Sequence, residues 1–244
     1  MKVFTKTDIG KTRSMNQDSL LVSENKSNGL NLYILADGMG GYKGGEIASK
    51  VAITAVSKFI TQEFDGIQKD KQSILNLIED AIEFANSAIY EESEQDEELQ
   101  DMGTTLEVVL IYKGKVYIGH IGDSRIYRIR KNKMKKITTD HSYVEKLIQD
   151  GDITREEAYN HPKKNLLIKA LGTDEQAEPD IIYTVLNKND IIVMCSDGLT
   201  NMIREEKILD IIKENTEDMT DILVNEANFA GGLDNITVIV IDNR

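Results

Sequence analysis

Tyr33-Ile34-Leu35-Ala36-Asp37-Gly38-Met39-Gly40-Gly41-Tyr42-Lys43-Gly44-Gly45-Glu46 is the stretch that decides how this chain folds. A short apolar run bounded by turn residues predicts a buried strand that delivers the Asp37 carboxylate to its C-terminal tip. A glycine-rich turn and the start of a helix follow. Glycine lets the backbone pass close to whatever the carboxylate holds, having no Cβ to clash. Neither common phosphate loop fits. With Gly40 and Gly45 as Walker glycines, Glu46 stands where lysine belongs, and a dinucleotide fingerprint from Gly38 has Lys43 for its last glycine. Asp37 would repel a phosphate unless a cation sat between them, which points to a metal. Asp-Gly is also a common turn pair, so the reading depends on the rest of the chain.

Upstream, residues 1–23 predict a strand, a loop and a second strand, with Arg13-Ser14-Met15-Asn16-Gln17-Asp18 between them. Downstream, Ile47, Val51, Ala55 and Phe59, beside Ala48, Ala52, Val56 and Ile60, form an apolar stripe on one helix face. Ile74, Ile78, Ala81, Ile82, Ala85 and Ile89 form another. Glu91 to Asp101 reads as a solvated acidic loop. Residues 103–139 read as an antiparallel meander, with Gly122-Asp123-Ser124 at one of its turns. Residues 140–178 form an excursion from the sheet. It holds a short helix stopped near Gly151, a capping-box spacing at Thr154-Arg155-Glu156-Glu157, and a break at Pro162. Two strands around an Asn187–Asp190 turn lead to Ser196-Asp197-Gly198, then two helices, then Asp234-Asn235 and a last strand.

With 244 residues, 40% hydrophobic and 29% charged, the chain has the composition of a soluble globular protein, and one domain over 1–244 is the economical expectation. A formal net charge of −13 disfavours nucleic acid or an anionic membrane as a partner. Arg125 to Lys136 is basic, but it alternates with apolar residues and reads as a solvated hairpin face. One cysteine, Cys195, and no apolar run at the start fit a reducing cytoplasm.

Asp37, Asp123, Asp197 and Asp234 all fall at predicted strand ends or starts. Gathering carboxylates is costly unless cations bind between them. The histidines His120, His141 and His161 lack paired-ligand spacing, so an all-oxygen site for Mg²⁺ or Mn²⁺ is favoured over zinc. Two such ions about 3.5–4 Å apart would acidify a shared water and clamp the oxygens of an in-line phosphoryl displacement. Arg13 offers a planar fork for a phosphate.

Six motifs then occur in order: Arg13-x-x-Asn16-Gln17-Asp18, Ala36-Asp37-Gly38-Met39-Gly40-Gly41, Met102-Gly103-Thr104-Thr105, Gly122-Asp123-Ser124-Arg125, Ser196-Asp197-Gly198-Leu199 and Gly232-x-Asp234-Asn235. Over essentially its whole length the chain resembles the metal-dependent serine/threonine protein phosphatases, the PPM or type 2C family, in their short bacterial form. The resemblance implies an α+β fold, a four-layer αββα sandwich of two mainly antiparallel sheets flanked by helix pairs. It implies that Asp37 bridges two metals, that the Gly38 carbonyl, Asp197 and Asp234 complete their shell, and that Asp18 acts mostly through bound water. Asp123 matches the position of a third, looser metal, and Arg13 the phosphate-binding arginine. Residues 140–178 match the flap bordering the site.

The implied activity is hydrolysis of phosphoserine and phosphothreonine in proteins by a water activated between two metals, opposing a bacterial Ser/Thr kinase, in a monomer. A phosphoesterase of small metabolites and a silent binding module on the same fold are the alternatives. Three residues depart from the family pattern: Met39 and Tyr42 stand where relatives have histidine, and Lys169 stands where many have arginine. The general acid is thereby left open among a water on a third metal at Asp123, Tyr42 and His161.

Overall fold

The strand Leu30–Met39 shows why the central stretch is an unbroken apolar run. Leu32, Ile34 and Ala36 belong to a core shared with helices, whereas Tyr33 and Leu35 belong to a second core between two sheets. A strand covered on both faces has no reason to alternate.

The computed structural model describes residues 1–41, 43–214 and 217–244. In chain order it contains β1 (Lys2–Asp8), β2 (Asp18–Asn25), β3 (Leu30–Met39), α1 (Gly44–Glu63), α2 (Lys71–Gln95), β4 (Gly103–Thr104), β5 (Leu106–Tyr112), β6 (Lys115–Ile121), β7 (Arg125–Arg130) and β8 (Lys133–Lys136). Then come α3 (Tyr143–Asp150), α4 (Arg155–Tyr159), β9 (Asp180–Val185), β10 (Ile191–Cys195), α5 (Asp197–Thr200), α6 (Glu205–Glu214), α7 (Met219–Phe229) and β11 (Ile236–Asp242). One sheet has the order β1-β11-β10-β7-β8 and the other β2-β3-β5-β6-β9, with β4 paired to β3.

The pairings are antiparallel. Helices α1 and α2 cover one sheet through Ala48, Ala52, Ile78 and Ile82. Helices α6 and α7 cover the other through Ile208, Ile212, Leu223 and Ala227. The result is the expected αββα sandwich. Among the described residues no helix is long and apolar enough to cross a membrane.

Four local expectations are corrected. The meander over 103–139 is two hairpins in different sheets, because Gly122 takes φ +111° and sends the chain from β6 across to β7. Asn187–Asp190 likewise carries the chain between sheets, from β9 to β10. Strand periodicity reports which faces are covered, not which strand is the partner.

The basic stretch is a solvated face only in part: Lys131, Lys133 and Lys135 are exposed, but the arginines are paired. Arg125 pairs with Asp140 at 2.7 Å, Arg130 pairs with Asp190 at 2.6 Å, and Arg128 donates to Thr184 Oγ1 at 2.9 Å. The acidic run is not a plain loop either. Helix α2 continues to Gln95, and Leu99 is buried in a 3-10 turn, Glu97–Leu99. The excursion behaves as expected: Gly151 ends α3 in the left-handed region at φ +82°, and Thr154 and Glu157 form a capping box on α4.

Candidate active site

Antiparallel order puts the C-terminal ends of β3 and β6 on the same edge of their sheet, beside the N-terminal end of β2. The register sets Asp18 directly opposite Asp37. Like charges in that relation repel. The Asp37 carboxyl is in side-chain contact with Asp18 and Asp197, and feels the charges of Asp123 and Asp234 as well. Loop closure thus brings together five aspartates scattered over more than two hundred residues of sequence.

Four of them are held by identifiable neighbours. Ser196, just past β10, donates its hydroxyl to Asp18 Oδ2 at 2.8 Å and accepts from the Thr237 amide. Asn201 donates to Asp197 Oδ2 at 2.8 Å. Asp234 accepts from the Asn235 amide on Oδ1 and from Arg13 Nη2 on Oδ2, the latter at 2.8 Å. Thr105 Oγ1 accepts from the Asp37 amide, and the Thr104 hydroxyl and Thr105 amide both donate to the Asp37 carbonyl. Asn235 donates to the Ile9 and Met15 carbonyls and accepts from the Gln17 amide, fastening the Arg13 loop to the start of β11. Thr105, Ser196 and Asn235 stood inside recognisable motifs, but sequence reasoning assigned them no role. Their work is hydrogen bonding across long sequence separations.

Gly38 lies on the first turn of α1: a Cβ there would come within 1.9 Å of the Gly45 carbonyl oxygen. A side chain at this position would force the strand tip off the helix.

The carboxyls carry the cost of their company. Desolvation, then the charges of Asp18, Asp197 and their neighbours, holds Asp37 well above the usual carboxylate range. Asp123 is raised likewise, by desolvation and then by Asp197 and Asp140. Asp18 is pushed up to about 6 by desolvation, and Asp197 to about 7 by desolvation with the charges of Asp234 and Asp18. Asp18 Oδ1 is buried with no hydrogen-bond partner. A buried oxygen left so is expensive. Oxygen donors alone, excess negative charge and an unpartnered carboxylate oxygen fit a hard divalent cation.

Another group has ligand-type atoms within 4.8 Å of one another: His120, His141 and Asp180. Hydrogen bonding accounts for it. His120 has Glu107 Oε1 at 2.6 Å from Nδ1 and the Thr139 carbonyl at 2.8 Å from Nε2, two acceptors that require both ring nitrogens to donate. His141 Nδ1 accepts from the Gly122 amide, which places its proton on Nε2. Neither ring has a lone pair free for a metal. The remaining thiol, Cys195, is pushed up to about 12 by burial and is no nucleophile.

A family model described as protein phosphatase 2C matches residues 10–228. The chain belongs to the protein phosphatase 2C family.

This phosphatase is 38% identical over 244 residues to the protein phosphatase PhpP of Streptococcus pneumoniae, covering 99% of this chain and 97% of that one. Its fold matches the S. agalactiae serine/threonine phosphatase with a TM-score of 0.90 at 38% identity, covering 100% and 99% of the two chains. It also matches the catalytic domain of serine threonine protein phosphatase PstP in complex with 2 manganese ions, with a TM-score of 0.86 at 33% identity over 99% and 97%.

Beside the aspartates of the phosphatase runs a cleft of about 700 Å³, from Asp123 and Asp197 to Arg155, Lys164 and Arg204. Helices α3 and α4 form one of its walls. Arg204 is paired with Glu156 and lies over the Tyr159 ring. Of the proton-donor candidates, Tyr42 lies outside the described residues. His161 makes local contacts, accepting from the Lys163 amide at 3.1 Å. Lys169 is paired with Glu178 at 2.8 Å.

Proposed function

We propose that this phosphatase hydrolyses phosphoserine and phosphothreonine in proteins, with its substrates supplied by a Ser/Thr kinase, and that it works as a monomer. The observation that carries the reading is Asp37, a strand-tip carboxylate in contact with Asp18 and Asp197 and within the field of Asp123 and Asp234. Asp37 would be shared by two Mn²⁺ or Mg²⁺ ions, with the Gly38 carbonyl, Asp197 and Asp234 beside it and Asp18 acting through water. Asp123 would hold a third, weaker ion. When bound, the ions supply an acidified water and positive charge facing the transferring phosphoryl group.

The chain's own groups do the rest. Arg13 is half exposed and oriented by Asp234, leaving N–H groups of its fork to grip phosphate oxygens. The Thr104 and Thr105 hydrogen bonds hold Asp37 still. The cleft accepts chain flanking the phosphorylated residue, which favours protein substrates over small metabolites.

A substrate panel tests this: phosphoserine and phosphothreonine peptides against metabolite phosphates, with Mn²⁺ and with excess chelator. Peptide turnover that needs the metal is expected. Preference for metabolites, or full activity in chelator, would sink the proposal.

Arg13→Ala is expected to raise KM roughly tenfold while kcat changes only a few-fold, because the arginine holds the phosphate in ground and transition states alike. A loss confined to kcat would reassign it.

Asp123 is assigned to the leaving-group side. A serine alkoxide needs a proton in the transition state, whereas nitrophenolate leaves without one. Asp123→Asn is therefore expected to slow phosphoserine-peptide hydrolysis about a hundredfold, and nitrophenyl phosphate much less, when kcat is compared at saturating Mn²⁺. Equal losses would place Asp123 with the nucleophile or the fold.

A further inference from the structure

His141 touches none of the five aspartates, yet it holds the turn that carries one of them. Gly122, immediately before Asp123, is gripped on both of its polar atoms by this one residue. The His141 amide donates to the Gly122 carbonyl at 2.7 Å, and the Gly122 amide donates to His141 Nδ1 at 3.2 Å. Gly122 cannot relax by itself, since it sits at φ +111° with Thr105 side-chain atoms 2.6 Å from where a Cβ would be. On its other side the His141 carbonyl accepts from the Ile168 amide at 2.8 Å. Ser142 bridges Leu167, and the Tyr143 amide donates to Leu166, so the contact continues along the inner edge of the flap.

The grip works only with a neutral ring, because Nδ1 must keep its lone pair. Asp180 fixes the tautomer, while burial and the ring of His120 keep the charge off. Asp180 Oδ2 lies 3.4 Å from Nε2 and suits a proton there, its charge pulling the pKa up against the other two. His120 stacks on the ring, centroids 4.7 Å apart, and donates from both nitrogens to Glu107 and Thr139, which makes it a cation. A cation against the ring disfavours a second one. Consistently, His141 is lowered to about 4, by desolvation and then His120, and His120 is raised to about 9 through Glu107 despite its burial.

We propose that His141 is a positioning residue which makes the Asp123 turn and the inner edge of the flap move as one unit, so that a substrate seating the flap also sets Asp123. The proposal rests on the phosphatase reading for its kinetic consequence, but not for the coupling itself.

The test uses the full chain and three variants, His141→Ala, His141→Asn and His141→Gln. Asparagine can present an acceptor near the position of Nδ1, whereas glutamine reaches toward Nε2. Amide hydrogen exchange without substrate is expected to speed up together at 122–124 and at 166–168 in the Ala and Gln variants, and to stay near wild type in the Asn variant. The ratio of kcat on a phosphoserine peptide to kcat on nitrophenyl phosphate is expected to fall roughly 10- to 100-fold in Ala and Gln, the range seen when a supporting hydrogen bond is lost, and to recover in Asn.

Exchange rising in only one of the two segments, an unchanged substrate ratio, or Asn behaving like Ala would each overturn the proposal. If His141→Ala does not fold, the Asn and Gln pair decides alone. A wild-type enzyme that ignores phosphoserine peptides would refute the proposed function, while the exchange experiment would still test the coupling.

Discussion

Asp37→Asn is expected to reduce kcat on the order of a thousandfold or more at saturating Mn²⁺, and at the same time to make the metal-free protein more stable. The two effects have one cause. Asp37 is the carboxylate in contact with Asp18 and Asp197, so a neutral amide removes the group proposed to be shared by two ions. The same change removes the charge that repels its neighbours, directly opposite Asp18 on the paired strand. A residue serving only the fold would lose stability and activity together. Thermal unfolding in chelator alongside single-substrate kinetics separates the cases. Near-normal kcat, or a variant less stable than wild type in chelator near neutral pH, would remove Asp37 from the centre of the site.

The second large effect is a stability that depends on pH and is reversed by metal. An acid whose pKa is raised on folding binds more protons in the folded state than in the unfolded one. Stability therefore falls as pH rises from the unfolded value through the folded value. For Asp18 and Asp197 that window runs from 3.8 to about 6 and about 7, and Asp37 and Asp123 act in the same direction. At about 1.4 kcal/mol per unit, the cluster costs on the order of several kcal/mol at neutral pH.

Other groups contribute within the same range. Glu107, raised to about 7, adds to the fall, and His141, lowered to about 4, opposes it. A difference isolates the cluster. In chelator, the stability gap between Asp37→Asn and wild type is expected to widen from pH 5 to pH 7.5, and added Mn²⁺ should close or invert it, because metal binds the folded wild type preferentially. A gap independent of pH and metal would mean that the carboxylates do not share a site.

Much of this was legible in the chain. The apolar run before Asp37, bounded by turn residues, read as a buried strand, and the four-residue spacing from Ile47 to Ile60 read as an amphipathic helix, since those patterns follow from local geometry. The aspartates at strand tips came from the same source, whereas the αββα order was implied by the resemblance carried by six motifs.

Tertiary structure decided what local geometry cannot encode. Strand pairing is chosen by partners far away in the chain, so a reading by periodicity joined β6 to β7 where the fold sends them to different sheets at Gly122. The roles of Thr105, Ser196, Asn235 and His141 are hydrogen bonds to distant backbone and carboxylates, and a polar residue beside a motif looks the same whether or not it makes them. The arginines of β7 looked solvated because their partners Asp140, Thr184 and Asp190 arrive only when the segment after β8, strand β9 and the turn before β10 close over them. A sequence displays the chemistry each residue can offer, but which group it meets is settled by the packing of surfaces that only the folded chain brings together.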